Sequence, residues 1–210
     1  MGRILIVLAI LWLPITAFCQ KKVSKKIVST EQQFIRIDGT NCYIIDLQTS
    51  PGNQLVVEAS IEGEYATDLA LKLEEDGNTI VVSTDFLPSF KNPNDKLSAH
   101  KVISISLSVL LPEYAQVQLY GTYSNVQAKG IYNALDISVA DGNCLVEALA
   151  EKSTVRTQTG EIRLMKTRGI VAAKTKYGKI HKGNVPSGDY NYSLHSIEGN
   201  IWVNVPMKYN

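Results

Sequence analysis

Histidine and cysteine are scarce in this chain of 210 residues, three of each, and the scarcity narrows its chemistry. His100, His181 and His195 have no i, i+4 helical spacing and no cysteine neighbours, so nothing in the pattern suggests a zinc site. No glycine-rich loop follows a strand and opens a helix, which leaves a nucleotide site without support. Charge of one sign is not in excess either. With 21 basic and 20 acidic residues, the balance implies neither a nucleic-acid nor a membrane partner. The one long apolar run, residues 4–13, is too short to span a bilayer as a permanent helix.

Residues 1–19 read instead as a secretory signal peptide, with Arg3, the apolar run, a breaker at Pro14 and the ending Ala17-Phe18-Cys19. Cleavage is expected between Cys19 and Gln20. Acylation of Cys19 is the weaker reading, because bulky Phe18 stands where a small residue should precede a lipidated cysteine. The product is expected to be exported, to the periplasm, the cell surface or the medium, with no transmembrane segment after signal removal. Two cysteines remain, Cys42 and Cys144, in a compartment that permits a disulfide. Cys144 shares a row with isoleucines, so a buried thiol acting as a small hydrophobe is preferred to a Cys42 to Cys144 bridge.

The strongest signal is a repeat. Gly121, Gly142, Gly160, Gly178 and Gly199 are separated by 142−121 = 21, 160−142 = 18, 178−160 = 18 and 199−178 = 21 residues. Aligned on the last four, Cys144, Ile162, Ile180 and Ile201 stand two after, and Ile137, Val155, Ala173 and Leu194 five before. Val139, Thr157, Thr175 and Ser196 stand three before, all small enough for a narrow interior. Ser138, Arg156, Lys174 and His195, four before, are polar. This alternation is that of strands with one face buried, turning at glycines free to take positive φ. The expectation is all-β: a short β-solenoid or β-roll of 18–21-residue glycine-turn repeats over residues 112–210.

Ahead of it, residues 20–30 read as a basic, solvated leader. Residues 31–111 read as an N-terminal β region, continuous with the solenoid and capping one end of it. Its strands are expected at 34–37, 42–47, 54–61, 69–73 and 79–83, with a long loop at 87–97 and an alternating strand at 102–111 that stops at Pro112. Val117 and Leu119 sit one position out of phase with the repeat, which marks a joint between the halves.

The signal peptide, the run Asp76-Gly77-Asn78-Thr79-Ile80-Val81-Val82 before a loop, the alternating strand ending at Pro112 and the glycine turns together resemble a known group. It is the putative adhesin family of secreted bacterial proteins, including the set named for an autotransporter adhesin head domain. The resemblance implies a short β-solenoid or roll and an adhesive role. The chain departs from that pattern in lacking serine-glycine pairs at its turns, so the resemblance implies no shared ligand.

Catalysis is not expected. Polysaccharide cleavage needs carboxylates converging in a groove, and the acids of the repeats fall mostly at or beside turns. Asp141-Gly142-Asn143 occurs once in the repeats, whereas calcium rolls repeat their ligands in every coil; no metal and no cofactor is expected. One feature remains: Arg156, Arg163, Lys166, Arg168, Lys174, Lys176, Lys179 and Lys182 lie in one stretch against the single acid Glu161. Arg156, Lys174 and Lys176 are expected to form an outward basic strip, either a solvated face or a site for an anionic partner, and Arg163, His181 and Trp202 a second outward row, where Trp202 either stacks on sugars or packs under the C-terminal tail. The reading is an exported, non-enzymatic interaction module. A binding module for an acidic glycan or envelope polymer is the alternative, and a small polysaccharide-processing enzyme the third. Another envelope protein is a further partner class; nucleic acid is not.

Overall fold

A computed structural model describes residues 20–28, 34–63, 66–90 and 103–206. The expected signal peptide, residues 1–19, lies outside the described residues, as does part of the expected loop at 87–97. The strands are β1 (Gln20–Val28), β2 (Phe34–Gly39), β3 (Ile44–Ser50), β4 (Gln54–Gly63), β5 (Leu69–Asp76), β6 (Thr79–Phe86), β7 (Ile103–Pro112) and β8 (Ala115–Gly121). They continue with β9 (Asn125–Val139), β10 (Cys144–Arg156), β11 (Ile162–Leu164), β12 (Ile170–Thr175), β13 (Ile180–Lys182), β14 (Asn191–Ser196) and β15 (Ile201–Val203). A single 3-10 turn, Ala66–Asp68, precedes β5.

All of them belong to one 15-stranded mixed sheet. Its main path runs β1, β4, β7, β3, β9, β10, β11, β15, β13, and these nine strands curl into a nearly closed barrel. A second path, β5, β6, β2, β8, β9, β10, β14, β12, shares the long strands β9 and β10.

The chain is therefore all-β, but the expected solenoid is corrected. Coils that advance in chain order would stack the strand after Gly178 directly on the strand after Gly160. Instead β15 lies between β11 and β13, and β14 between β10 and β12, so the last repeat inserts beneath the one before it. At the other end the ladder turns antiparallel, β1 with β4, β4 with β7 and β5 with β6. The expected solvated leader at 20–30 is also corrected. Half-buried Val23 and Ile27 share one face with Lys21, whose Nζ donates to the Leu69 carbonyl at 2.7 Å, in β1, an edge strand registered along β4 up to Glu62.

The inward rows explain the curl. Across the main path one register line carries Val23, Ala59, Leu107, Ile45, Val126, Cys144, Ile162, Ile201 and Ile180. Across the second path another carries Leu73, Val82, Ile37, Leu119, Ile137, Val155, Leu194 and Ala173. Nearly all are buried, and burying such side chains stabilises the fold by roughly 1.5–3 kcal/mol each for the larger ones. The rows fail only at their ends. Ile180 on the terminal strand β13 is 45% exposed although Ile162 and Ile201 in the same row are at 0%.

The corners are set by space more than by φ. A β-carbon on Gly160 would overlap the Gly142 carbonyl, one on Gly199 the Gly160 carbonyl, and one on Gly178 the Gly199 carbonyl. Gly142 alone among the repeat corners has a positive φ, +144°. The apparent phase slip before it also resolves. Gly142 packs on the backbone of Ser124, which takes the corner position, and its hydroxyl donates to the Cys42 carbonyl at 2.7 Å. Counted from Ser124, Leu119 stands five before and Val126 two after, in phase with every later repeat. Asparagines beside the corners tie adjacent turns: the Glu161 amide donates to Asn143 Oδ1 at 2.9 Å and the Lys179 amide to Asn200 Oδ1 at 2.8 Å.

Candidate functional site

The strand order places the cations differently from the chain order. Outward on the second path, register lines up Tyr120, Ser138, Arg156, His195 and Lys174. Arg156 and Lys174 are thus not on adjacent strands, and His195 of β14 stands between them. At about 4.8 Å per strand their backbones are roughly 10 Å apart. Two residues further along, the backbone links Ala140, Gln158, Ile197 and Lys176. Between these rows lies a groove of about 580 Å³ lined by Arg156, Gln158, Lys174, Lys176, His195 and Ile197 among others.

Arg156, Lys174, Lys176 and His195 are all exposed. Arg156 donates to Asp136 Oδ1 at 2.8 Å, a solvent-facing pair that costs little to open. Lys176 Nζ lies 4.8 Å from the ring centre of Tyr177. The His195 ring meets the Ser193 hydroxyl at 3.0 Å. Lys174 has no ion pair among the described residues. An anion seated in the groove can therefore draw on three cations and an imidazole, with the apolar side chain of Ile197 in the wall.

The other expected row lies past the corners, on β11, β15 and β13, in the order Arg163, Trp202, His181. The expectation of an exposed Trp is corrected. His181 stacks on the Trp202 ring with centroids 3.8 Å apart and planes 12° from parallel, and the Arg163 guanidinium lies 5.0 Å over the same ring. Both faces are taken because β15 inserts between β11 and β13, so Trp202 is half-buried and has no face for a sugar. Arg163 is further held by Glu161 at 2.8 Å. The six candidate residues thus fall into two groups. Only Arg156, Lys174 and Lys176 border the groove.

Sequence reasoning missed the place of two residues. His195 shares the four-before-glycine offset with Arg156 and Lys174, but only the inserted strand puts it between them. Exposed Tyr120 stands in the same row, four before Ser124, an offset hidden while Gly121 was counted as the corner.

Cys42 and Cys144 are both free and buried. Burial pushes the Cys42 thiol up to about 11 and the Cys144 thiol up to about 12, so both are protonated at neutral pH and poor nucleophiles. No group of three or more His, Cys, Asp or Glu able to hold a metal ion occurs among the described residues. No helix among them is long and apolar enough to cross a membrane.

Fold and groove together define a class: an all-β scaffold that displays cations around a surface cleft. Solved structures of that fold are known. A putative cell adhesion protein from Clostridium sporogenes ATCC 15579 superposes with a TM-score of 0.61 at 12% identity, over 89% of this chain and 99% of its own. A putative adhesin from Bacteroides fragilis NCTC 9343 matches with a TM-score of 0.38 at 13% identity, over 88% and 97%. One from Parabacteroides distasonis ATCC 8503 matches with a TM-score of 0.34 at 10% identity, over 87% and 97%. No protein-family model matches the chain, and neither does any curated protein sequence. These neighbours are described as putative adhesins or a putative cell adhesion protein, and the Clostridium structure shares the fold.

Proposed function

We propose that this chain is an exported, non-enzymatic interaction module of the bacterial envelope or surface, and that its groove takes an acidic glycan or envelope polymer. The groove itself carries the reading, since Arg156 at the end of β10 and Lys174 and Lys176 on and just past β12 border one cleft. Guanidinium and ammonium groups hydrogen-bond carboxylate and sulfate oxygens. Exposed Ile197 in the groove wall offers apolar surface to the C–H faces of sugars. A cleft of about 580 Å³ is within the range that holds small ligands, on the scale of a few sugar rings. The description of the Clostridium neighbour as a cell adhesion protein supports the same class of function. The enzyme reading has no such support: the residues that line the groove include no carboxylate, and Asp136 is held by Arg156.

The test is binding of the purified chain to polygalacturonate and to neutral dextran at low and high salt, beside a variant with Arg156→Ser, Lys174→Ser and Lys176→Ser. Binding to the acidic polymer alone, weakened by salt and lost in the folded variant, is expected. Equal binding by the variant removes the groove from the account.

A further inference from the structure

Strands β12 and β13 end their paths and, among the described residues, pair on one side only. The amides of Ile170 and Lys176 bond inward, to the carbonyls of Tyr190 and Ile197. Alternation along the strand then turns the N–H and C=O groups of Val171, Ala173 and Thr175 outward as an open ladder. The core is cut at the same place. Ile180 in an inward row is 45% exposed, and Val171 and Ala173 are half-buried, whereas Leu69 and Leu71 on β5, an edge at the opposite end, are at 1% and 2%. The core is thus better covered at the β5 edge than at the β12 and β13 edges.

The open end carries one sign of charge. No Asp or Glu occurs between Glu161 and Asp189, while Lys174, Lys176, Lys179 and Lys182 lie on or beside the two strands. Lysines also end the register lines at both extremes. The inward line that starts at Lys25 on β1 passes through Val57, Leu47, Val146 and Val203 and finishes at Lys182. The outward line from Lys72 on β5 passes through Asp38, Ser138 and His195 and finishes at Lys174. A second copy stacked in register would set Lys25 against Lys182 and Lys72 against Lys174, and like charges directly opposite are destabilising. That register disfavours a copy stacked head to tail, while the β12 ladder stays unpaired among the described residues beside half-buried Val171 and Ala173.

We propose that the β12 edge receives an extended acidic segment of a partner protein as a further strand. Its apolar side chains cover Val171 and Ala173, and its carboxylates lie beside Lys174 and Lys176. Main-chain bonds supply the affinity and the alternate side chains the choice of partner. The ladder sits on the rim of the sheet, whereas the polymer groove opens on its face. The two share lysines but not backbone.

The probes are a peptide of alternating Val and Glu and its Val and Lys counterpart, followed by amide hydrogen exchange. With the acidic peptide at saturation, exchange at Val171, Ala173 and Thr175 is expected to slow by about tenfold or more, as bonded edge amides do, with no effect from the basic peptide. Ala173→Pro deletes one outward N–H on an edge strand that tolerates proline, so it should abolish peptide binding and leave polygalacturonate binding intact. Lys174→Glu with Lys176→Glu should reverse the preference between the peptides. Unchanged exchange with the acidic peptide, equal protection by both peptides, or undiminished binding by folded Ala173→Pro would each overturn the proposal.

Discussion

Replacing Gly160 by alanine puts a methyl group where the Gly142 carbonyl already lies. The backbone has little room to yield, because Gly160's own carbonyl occupies the space beside Gly199 on the other side. Overpacking of this kind costs typically about 1–3 kcal/mol, and a contact with backbone on both sides belongs at the upper end. The loss of unfolded-chain freedom returns about 0.4–1 kcal/mol. A net loss of about 2 kcal/mol remains, which in a chain of this size lowers the thermal midpoint by about 4–8 °C. Urea unfolding followed by far-UV circular dichroism measures it, with Gly188→Ala as the comparison. A β-carbon on Gly188 meets only the flexible Arg168 side chain, 3.1 Å from its Cγ, so that variant should stay within about 0.5 kcal/mol of the wild type. Equal stability of the two variants would refute the close stacking of the corners.

Core position should matter as the strand order dictates. Ile162→Ala is expected to cost about 2–5 kcal/mol, and Ile180→Ala less than half as much because its side chain is 45% exposed; urea midpoints decide this. The thiols should react with a disulfide reagent at pH 8 only after unfolding, so native and urea-denatured rates should differ by orders of magnitude. Their raised values also give a sign: each neutral thiol contributes stability below its unfolded value near 9, and this is lost as pH rises toward 11 and 12. Stability should therefore fall above pH 9, less steeply in Cys144→Ala. The Asp85 carboxyl is held below its usual range by its hydrogen bond from Lys72. Its contribution is present above the unfolded value and lost as pH falls, and Lys72→Gln should flatten that acid limb slightly.

Much of the local structure was legible because strand alternation and glycine corners are properties of short stretches. The inward rows built on Ile137, Val155, Leu194 and on Cys144, Ile162, Ile201 follow from period two alone. Stacking order is not local. Ile180 and Ile201 are equivalent in the repeat, and only three-dimensional packing decides that Ile201 lies next to Ile162 while Ile180 is left at the rim. The same insertion covers the faces of Trp202, which is left half-buried, and sets His195 between Arg156 and Lys174, an order that chain position alone does not show. Ser124 hid a corner because serine can stand where the next turn does not crowd its β-carbon. Strand β1 was hidden by its four lysines, which stand on both faces of an edge whose partner strand lies more than 25 residues away in sequence.

The most direct measurement of the central claim is backbone amide mapping by nuclear magnetic resonance while polygalacturonate is added at low salt. Shifts confined to Arg156, Lys174, Lys176, His195 and Ile197, reversed by high salt, are the predicted result. Shifts centred on Arg163, His181 and Trp202, or none at all with the chain folded, would contradict the groove as the binding site.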